Sequence, residues 1–200
     1  MTNANESIDL EQMSVIHTIA GLRPEHGGTS RSVPALCRSL SELGHNVSIV
    51  AGRPAQSDGD THSRDRGTDA NGVDTNWIDE SRWTRRLGVG RRFRACLRSL
   101  ADRSTRPPII HDHGVWMPSN HAVSRFAHSS SVPRVVSPRG MLSTWAMNHG
   151  RSKKKVAWRL FQHADLDRAS AFHATSESEA RAIRDLGFRQ PIAVIPNGVT

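Results

Sequence analysis

Residues 16–30 read Ile16-His17-Thr18-Ile19-Ala20-Gly21-Leu22-Arg23-Pro24-Glu25-His26-Gly27-Gly28-Thr29-Ser30. The apolar and β-branched run from Met13 to Ala20 predicts a buried parallel strand. Beyond it, apolar residues recur every three or four positions, which predicts an amphipathic helix. These residues are Val33, Leu36, Cys37, Leu40 and Leu43. Gly44 is expected to end the helix, and Asn46 to Ala51 predicts the next strand.

A glycine pair stands where this strand meets this helix. Gly27 and Gly28 carry no side chain, so a ligand can come close to the backbone there. The helix start behind them offers free N–H groups, which suit a phosphate. Ser30 or Ser32 is expected to cap the helix, with Pro34 in its first turn. The spacing is not the dinucleotide fingerprint G-x-G-x-x-G, so a tight turn that only needs glycine remains the alternative.

The composition limits the classes of protein to which the chain can belong. Its two cysteines, Cys37 and Cys96, are far apart and form no disulfide framework, which favours a reducing, cytoplasmic setting. Residues 1–11 lack the apolar core of a signal peptide, and no apolar run has the length of a membrane span. The formal net charge of +8 favours an anionic partner.

Composition shifts divide the 200 residues into segments. Residues 1–12 are expected to be a disordered tail, and residues 13–196 one domain. Residues 53–80 are rich in Asp, Gly, Ser and Thr and are expected to form a mobile surface loop. A basic amphipathic helix is expected over at least Arg91 to Ala101. No zinc-finger, RNA-recognition or helix-turn-helix pattern accompanies it, so no nucleic-acid partner is expected.

The rest of the chain continues the alternation of strand and helix. Further strands are expected to begin near residues 108, 133, 169 and 192, with helices over 120–128, 151–163 and 176–186. Ser176 and Glu179 are expected to form a capping box for the last of these helices. About six short apolar strands in this order predict an α/β fold, a Rossmann-like parallel sheet with helices on both faces. Ligands of such sheets bind beyond the carboxyl ends of the strands.

Several candidate site residues follow predicted strands. His113 is expected on a loop facing this edge, where its imidazole can donate a hydrogen bond to a sugar hydroxyl or exchange a proton with it. Arg139 stands between Pro138 and Gly140 in a rigid turn and suits a phosphate or carboxylate. Trp116 can form an apolar wall for a sugar ring. The alternatives are a backbone-bonded histidine, a surface turn and a core tryptophan.

A metal centre is a further reading of the histidines. His111 and His113 lie two residues apart at a strand end, and zinc would require additional ligands. The candidates for those ligands are His17, His26 and His173, but no recognisable spacing links them. We therefore expect no metal, with a metal-dependent hydrolase as a minor alternative.

Taken together, several segments resemble a known family, the amino-terminal domain of the family-4 glycosyltransferases, which have the two-domain GT-B fold. The segments are 21–37 (Gly-Leu-Arg-Pro-Glu-His-Gly-Gly-Thr-Ser-Arg-Ser-Val-Pro-Ala-Leu-Cys), 43–47 (Leu-Gly-His-Asn-Val), 113–116 (His-Gly-Val-Trp), 137–142 (Ser-Pro-Arg-Gly-Met-Leu), 173–179 (His-Ala-Thr-Ser-Glu-Ser-Glu) and 195–199 (Ile-Pro-Asn-Gly-Val). They occur in one order and span most of the chain.

The resemblance implies transfer of a sugar from a nucleotide-sugar to an acceptor, with retention at the anomeric carbon. It implies that Gly27 and Gly28 approach the donor diphosphate and that His113 is the active-site histidine. The expected acceptor-side residues are Trp116, Arg139 and Asn197. No cofactor and no metal are implied, because cationic side chains and backbone N–H groups neutralise the leaving diphosphate.

The resemblance also implies a second domain. Residues 197–200 are expected to begin the linker to a carboxy-terminal domain that binds the donor nucleotide, so these 200 residues alone are expected to bind donor weakly and to turn over little. A non-catalytic sugar- or nucleotide-binding module is the alternative, and a basic nucleic-acid-binding domain a lesser one.

A basic helix suggests where such a protein could work. Its cationic residues are Arg151, Lys153, Lys154 and Lys155. They could dock on an anionic bilayer beside a glycan or lipid-linked acceptor, whereas an ordinary solvated helix face is the alternative. The expected location is the cytoplasm, and docking of this helix would place the protein on the inner face of the cell membrane.

Overall fold

The computed structural model describes residues 12–22, 28–53, 66–68, 73–79, 89–149 and 151–198. Eight strands in this part of the chain form one sheet, in the order β3-β4-β2-β1-β5-β6-β7-β8. The strands are β1 (Ser14–Ile19), β2 (Asn46–Arg53), β3 (Arg66–Thr68), β4 (Asp74–Asp79), β5 (Ile109–His113), β6 (Arg134–Ser137), β7 (Ala171–Ala174) and β8 (Ile192–Val194). Only β3 runs antiparallel to its neighbour. The predicted Rossmann-like α/β sheet is confirmed.

The helices connect these strands in the expected alternation. They are α1 (Gly28–Glu42), α2 (Val89–Arg103), α3 (Pro118–Ser129), α4 (Thr144–Asn148), α5 (Arg151–Ala157), α6 (His163–Asp167) and α7 (Glu177–Asp185). A π-helical segment, Trp158–Gln162, joins α5 to α6. None of the helices in the described ranges has the length and apolarity of a membrane span.

Helices cover both faces of the sheet because side chains of a strand alternate between the faces. Ile16, Val50 and Ile110 pack against α2 and α3 in one apolar cluster. Ile19 and Ile49 point to the other face and pack against α1. Phe93 and Leu97 of α2 are fully buried, and each such side chain contributes about 1.5–3 kcal/mol of hydrophobic free energy. The apolar positions therefore fix which face each helix covers.

The range 53–80, predicted as a mobile loop, contains two strands instead. The structure places β3 and β4 there, and β4 lies between β2 and β3 in the sheet. Its buried positions include Thr75 and Asn76, and the Asn76 amide donates to the carbonyl of Ile49 over 3.4 Å. The sequence signal was missed because these buried positions carry polar residues whose hydrogen bonds the sheet satisfies.

The start of α1 also differs from the prediction. The helix already includes Gly28, so Ser30 and Ser32 lie within it and neither is its cap. Pro34 stands inside the helix rather than in its first turn, where it cannot donate to the carbonyl of Ser30. Pro34 is buried together with Val33 and Cys37, and packing therefore holds a helix that local signals would start later. Gly44 ends it with a φ of 88°, as expected.

Two further boundaries differ from the prediction, and parts of three other predicted features lie outside the described residues. His113 is the last residue of β5 and not part of a loop. The helix expected over 151–163 consists of α5 and the π-helical segment and continues into α6. Residues 1–11 of the predicted tail, Gly27 of the glycine pair, and residues 199–200 of the predicted linker lie outside the described ranges.

Candidate active site

Four histidines on three strands lie side by side on one face of the sheet. His17 of β1 pairs in register with His111 of β5, and His113 follows on the same face two residues later. His173 of β7 completes the row across the short strand β6. The ring centroids of His111 and His113 are 4.2 Å apart, those of His17 and His113 are 5.3 Å apart, and those of His111 and His173 are 5.1 Å apart. We call these four residues the histidine row.

Hydrogen bonds join the histidine row in two pairs. Nδ1 of His17 lies 3.0 Å from Nε2 of His113. Nδ1 of His173 lies 3.1 Å from Nε2 of His111, and Nε2 of His173 donates to the carbonyl of Ile195 over 3.0 Å. Ring stacking and hydrogen bonding thus fix every imidazole relative to its neighbours.

Burial keeps the histidine row neutral. Desolvation, reinforced by the nearby positive charge of Arg139, lowers the pKa of His17 to about 3. Desolvation and the neighbouring imidazoles lower the pKa of His111 to about 2 and hold the pKa of His113 well below its ordinary value. Four imidazoles can lie this close together only because they are uncharged at neutral pH.

Arg139 lies in the turn after β6 and contacts two of the predicted site residues. Its Nη2 donates to Nδ1 of His113 over 3.1 Å, and its Nη1 donates to Oδ1 of Asn197. The backbone of Arg139 has a φ of 56°, which is unusual for a residue other than glycine, and Gly140 follows with a φ of 77°. Glu179 holds this turn, because its Oε1 accepts the Gly140 N–H over 2.6 Å.

Glu179 has a different role from the one predicted. The Ser176 hydroxyl does accept the Glu179 N–H, over 3.3 Å, as a helix cap should. The Glu179 carboxylate, however, does not return to the Ser176 N–H. Its Oε2 accepts the N–H and the hydroxyl of Thr175, over 2.7 and 2.8 Å. Glu179 therefore ties the start of α7 to the Arg139 turn.

On the opposite face of β5, a buried polar network holds the strand end. Asp112 accepts hydrogen bonds from the Thr18 hydroxyl and the Asn120 amide, both over 2.8 Å, and from Nη1 of Arg134 over 3.2 Å. The Asn120 amide also reaches the carbonyl of His113 at 3.5 Å. This network fixes the backbone immediately before and at His113.

Trp116 lies apart from the contacts of Arg139. Its backbone, with a φ of 77°, donates to Oε1 of Gln162 over 2.8 Å, and its indole donates to the carbonyl of Met141 over 3.3 Å. Its ring packs near the ring of Trp158, and the ammonium of Lys154 lies over it, 5.5 Å from the ring centroid. The structure therefore surrounds Trp116 with protein groups, as in the core reading, while leaving it half-buried.

Gly28 begins α1 at the same edge of the sheet. The strand before it, β1, ends at Ile19, which pairs in register with His113. A Cβ atom built at Gly28 would meet nothing within 4 Å among the described residues. The fold described here therefore leaves room for a side chain at this position.

Three imidazoles of the row could in principle hold a metal ion. His17, His111 and His113 offer nitrogen atoms that all lie within 4.8 Å of one another. The arginine contact argues against this use, because a guanidinium only donates, so Nδ1 of His113 accepts and the proton of the neutral ring stays on Nε2. A protonated nitrogen beside a fixed positive charge is a poor zinc ligand. The absence of a metal remains a prediction that this geometry supports.

A family model described as glycosyl transferase 4-like domain matches residues 27–198. The chain belongs to this family. The match includes His111, His113 and His173 of the histidine row, the Arg139 turn and Asn197, whereas His17 precedes it. None of the curated proteins compared matches the sequence.

Several solved structures share the fold of this chain. Sucrose-phosphate synthase from Thermosynechococcus elongatus superposes with a TM-score of 0.60 at 14% identity, covering 94% of this chain and 91% of that chain. Anabaena Alr3699/HepE in complex with UDP and glucose also superposes with a TM-score of 0.60 at 14% identity, and the match covers 94% of this chain and 45% of that chain. A glycosyltransferase from Rickettsia africae superposes with a TM-score of 0.57 at 12% identity, and the match covers 95% of this chain and 44% of that chain. The chain thus spans less than half of the last two and is a glycosyltransferase-like GT-B domain.

Sequence reasoning missed two groups of residues that build this site. His17 and His173 were considered only as metal ligands, because they lie 96 and 62 residues from their hydrogen-bond partners, His113 and His111, and no recognisable spacing linked them. Glu179 was assigned to the helix cap alone. The alternation of side chains along β1 and β5 was the available signal, since it already places His17 and His111 on one face once the strands are known to be neighbours.

Proposed function

We propose that this chain is the acceptor-side half of a retaining glycosyltransferase, which transfers a hexosyl unit from a nucleotide-sugar to a glycan or lipid-linked acceptor. The observation that carries the proposal is the contact chain Asn197–Arg139–His113. It joins a cation, an amide and an imidazole that come from three separate segments. The family match supports sugar transfer as the class of reaction.

The role of each group in the site follows from its chemistry. The N-terminus of α1 offers backbone N–H groups and the positive end of the helix dipole to the donor diphosphate, next to Gly28. Arg139 adds a fixed positive charge on the acceptor side, or on the phosphate side, of the transferred sugar. His113 contributes a neutral imidazole. These groups stabilise negative charge on the leaving diphosphate without a metal ion.

The nucleotide base and most sugar contacts would come from a second domain. HepE was solved in complexes with UDP, with UDP and glucose, and with UDP-glucose, and this chain covers 44–45% of it. We therefore expect the 200 residues alone to bind UDP-glucose weakly. A binding module without catalytic activity is the second candidate, and it is favoured by the burial of His113, which is only 2% exposed.

The test compares transfer and binding in one preparation. The 200-residue chain is titrated with UDP and UDP-glucose while the imidazole signals are followed by NMR, and sugar transfer to added acceptors is assayed. Weak binding that shifts the His113 signals supports a nucleotide-sugar site that includes His113, and any turnover would contradict the second candidate, the binding module. If the variant Arg139→Met shows the same nucleotide-induced shifts as the wild type, the assigned role of Arg139 is contradicted. If neither UDP nor UDP-glucose changes any signal, the nucleotide-sugar function is contradicted.

We further propose that the chain docks on an anionic membrane surface from the cytoplasmic side. Lys154 does not serve this purpose as predicted, because its ammonium donates to the carbonyl of Ala146 and lies over the Trp116 ring. The side chains of Arg151 and Lys153 lie outside the described residues, while Lys155 is exposed. Val156 and Leu160, four residues apart on the basic helix and the π-helical segment that continues it, are 58% and 75% exposed and form an apolar patch there. Trp145, which is 78% exposed, lies on α4.

A further inference from the structure

The contact between Arg139 and His113 fixes where His113 carries its proton. A guanidinium has five N–H donors, no acceptor, and no accessible neutral form. Because Nη2 of Arg139 lies 3.1 Å from Nδ1 of His113, that nitrogen must accept. Burial keeps the His113 ring neutral, so its single proton is on Nε2. The His113 tautomer follows from the geometry and does not depend on any assigned hydrogen.

The hydrogen bond between His113 and His17 fixes the tautomer of His17 in the same way. Nε2 of His113 lies 3.0 Å from Nδ1 of His17, so its N–H donates and Nδ1 of His17 accepts. The proton of neutral His17 must then be on its own Nε2. That N–H is buried and has no hydrogen-bond partner among the described residues. The arrangement therefore leaves a buried donor unsatisfied at the far end of the pair.

Without Arg139, the two rings could share their hydrogen bond in the opposite sense. His17 would then carry its proton on Nδ1 and donate to Nε2 of His113. The proton of His113 would move to Nδ1, the nitrogen that faces the position of the Arg139 guanidinium. In this sense the buried Nε2 of His17 is an unpaired acceptor instead of an unpaired N–H donor, and orphaned buried N–H groups are the rarer of the two in native proteins. Arg139 thus holds both rings in the tautomers that leave the N–H unpaired.

We propose that Arg139 is a positioning residue that sets the tautomers of His113 and, through it, of His17. With Arg139 in place, the outer nitrogen of His113 is a hydrogen-bond acceptor. When Arg139 turns to an anionic group of a ligand, that nitrogen becomes an N–H donor, which fits a sugar or acceptor oxygen. This consequence rests on the proposed function, whereas the tautomer assignment does not.

The histidine row provides an internal comparison. His173 donates from Nε2 to the carbonyl of Ile195, so its Nδ1 accepts from Nε2 of His111. This second pair is fixed by a backbone carbonyl and not by Arg139. A change at Arg139 should therefore leave the tautomers of His111 and His173 as they are, although all four rings lie close together.

The experiment is a long-range ¹H–¹⁵N NMR measurement of the imidazole nitrogens in the full 200-residue chain, with signals assigned from His17→Asn and His113→Asn. The wild type and Arg139→Lys, which keeps a donor, should show His113 and His17 protonated on Nε2. Arg139→Met should show both rings protonated on Nδ1. Arg139→Gly provides a second variant without a donor, and its backbone suits the observed φ of 56°.

Several results would overturn the proposal. One is a wild-type ring of His113 or His17 that is protonated on Nδ1. Another is Arg139→Met and Arg139→Gly spectra in which both rings keep their wild-type tautomers, or in which His113 changes and His17 does not. Equal changes in His111 and His173 would show a general disturbance and would also contradict it. None of these results depends on a nucleotide or sugar, so the proposed function can fail or hold separately.

Discussion

Nη1 of Arg134 lies 3.2 Å from Oδ2 of Asp112, and the two side chains are only 3% and 1% exposed. Burial raises the pKa of Asp112 more than the Arg134 charge and the hydrogen bonds of Thr18 and Asn120 lower it. Two charges buried in this way are stabilising only while every partner is present. The pair joins neighbouring strands one residue before His113, so it couples the stability of the sheet to the geometry of the site.

Replacing Arg134 should therefore be strongly destabilising. In Arg134→Met the methionine fills much of the same space, but the Asp112 carboxylate loses its counter-charge inside the protein. We expect the free energy of unfolding to fall by about 3–5 kcal/mol, the usual effect of breaking a buried pair. Chemical denaturation followed by circular dichroism measures this change.

A surface ion pair is the matched control for Arg134→Met. Arg38 and Glu42 lie 3.9 Å apart on α1, with side chains that are 52% and 69% exposed. Arg38→Ala should change the free energy of unfolding by less than about 1 kcal/mol, because solvent screens such pairs. Similar losses in the two variants would show that burial of the Arg134–Asp112 pair has no special importance.

The neutral histidine row predicts that acid destabilises the protein. The folded-state pKa values of His17 and His111 are lowered to about 3 and about 2, from an ordinary value of 6.5. Below pH 6.5 the unfolded chain binds protons that the folded chain does not, so the free energy of unfolding falls as the pH falls. Each such histidine contributes about 1.4 kcal/mol per pH unit. The raised pKa of Asp112 acts in the opposite direction.

This pH dependence can be attributed to a particular ring. His17→Asn keeps an acceptor oxygen near the position of Nδ1 but removes one titrating group. Between about pH 7 and pH 5, its free energy of unfolding should vary less steeply than that of the wild type, by up to about 1.4 kcal/mol per pH unit. An unchanged slope in denaturation series at several pH values would mean that His17 is not one of the neutral groups responsible.

Gly28 offers a test that separates folding from binding. Apart from neighbouring residues and the backbone of its own helix, no described atom lies within 4 Å of a Cβ built there, and its backbone is helical. Gly28→Ala should therefore raise the free energy of unfolding by about 0.4–1 kcal/mol, since alanine loses less entropy on folding. The added methyl group should weaken the binding of UDP if the diphosphate approaches the backbone here. Gly114→Ala, at a φ of 86°, is the contrast, because it should be destabilising instead.

The parallel α/β fold could be predicted from the sequence because its strands and helices carry regular apolar patterns. Ile16, Ile49 and Ile110 occupy buried positions that periodicity alone identifies. Strand β4 could not be found in this way, since Thr75 and Asn76 are buried through hydrogen bonds that only the assembled sheet provides. The position of Pro34 inside α1 likewise depends on tertiary packing and not on local preference.

The candidate site was predicted as separate residues but not as a network. The strand-end positions of His113 and Arg139 indicated that they share one edge of the sheet, and the structure brings them to 3.1 Å. The His17–His113 contact joins residues 96 apart in sequence. It could not be foreseen without the strand order, because β1 and β5 become neighbours only through the crossover that places β2 and β4 on the other side of β1.

The apolar patch of Val156 and Leu160 predicts binding to vesicles that contain anionic lipid. Leu160 is 75% exposed, so Leu160→Glu should leave the free energy of unfolding nearly unchanged. It should nevertheless weaken sedimentation with such vesicles, because a carboxylate replaces an inserting side chain and is repelled by the acidic surface. Leu43→Glu is the matched control, since Leu43 is 65% exposed at the end of α1, outside the patch. Equal loss of binding in the two variants would indicate a non-specific effect of charge and contradict docking through this patch.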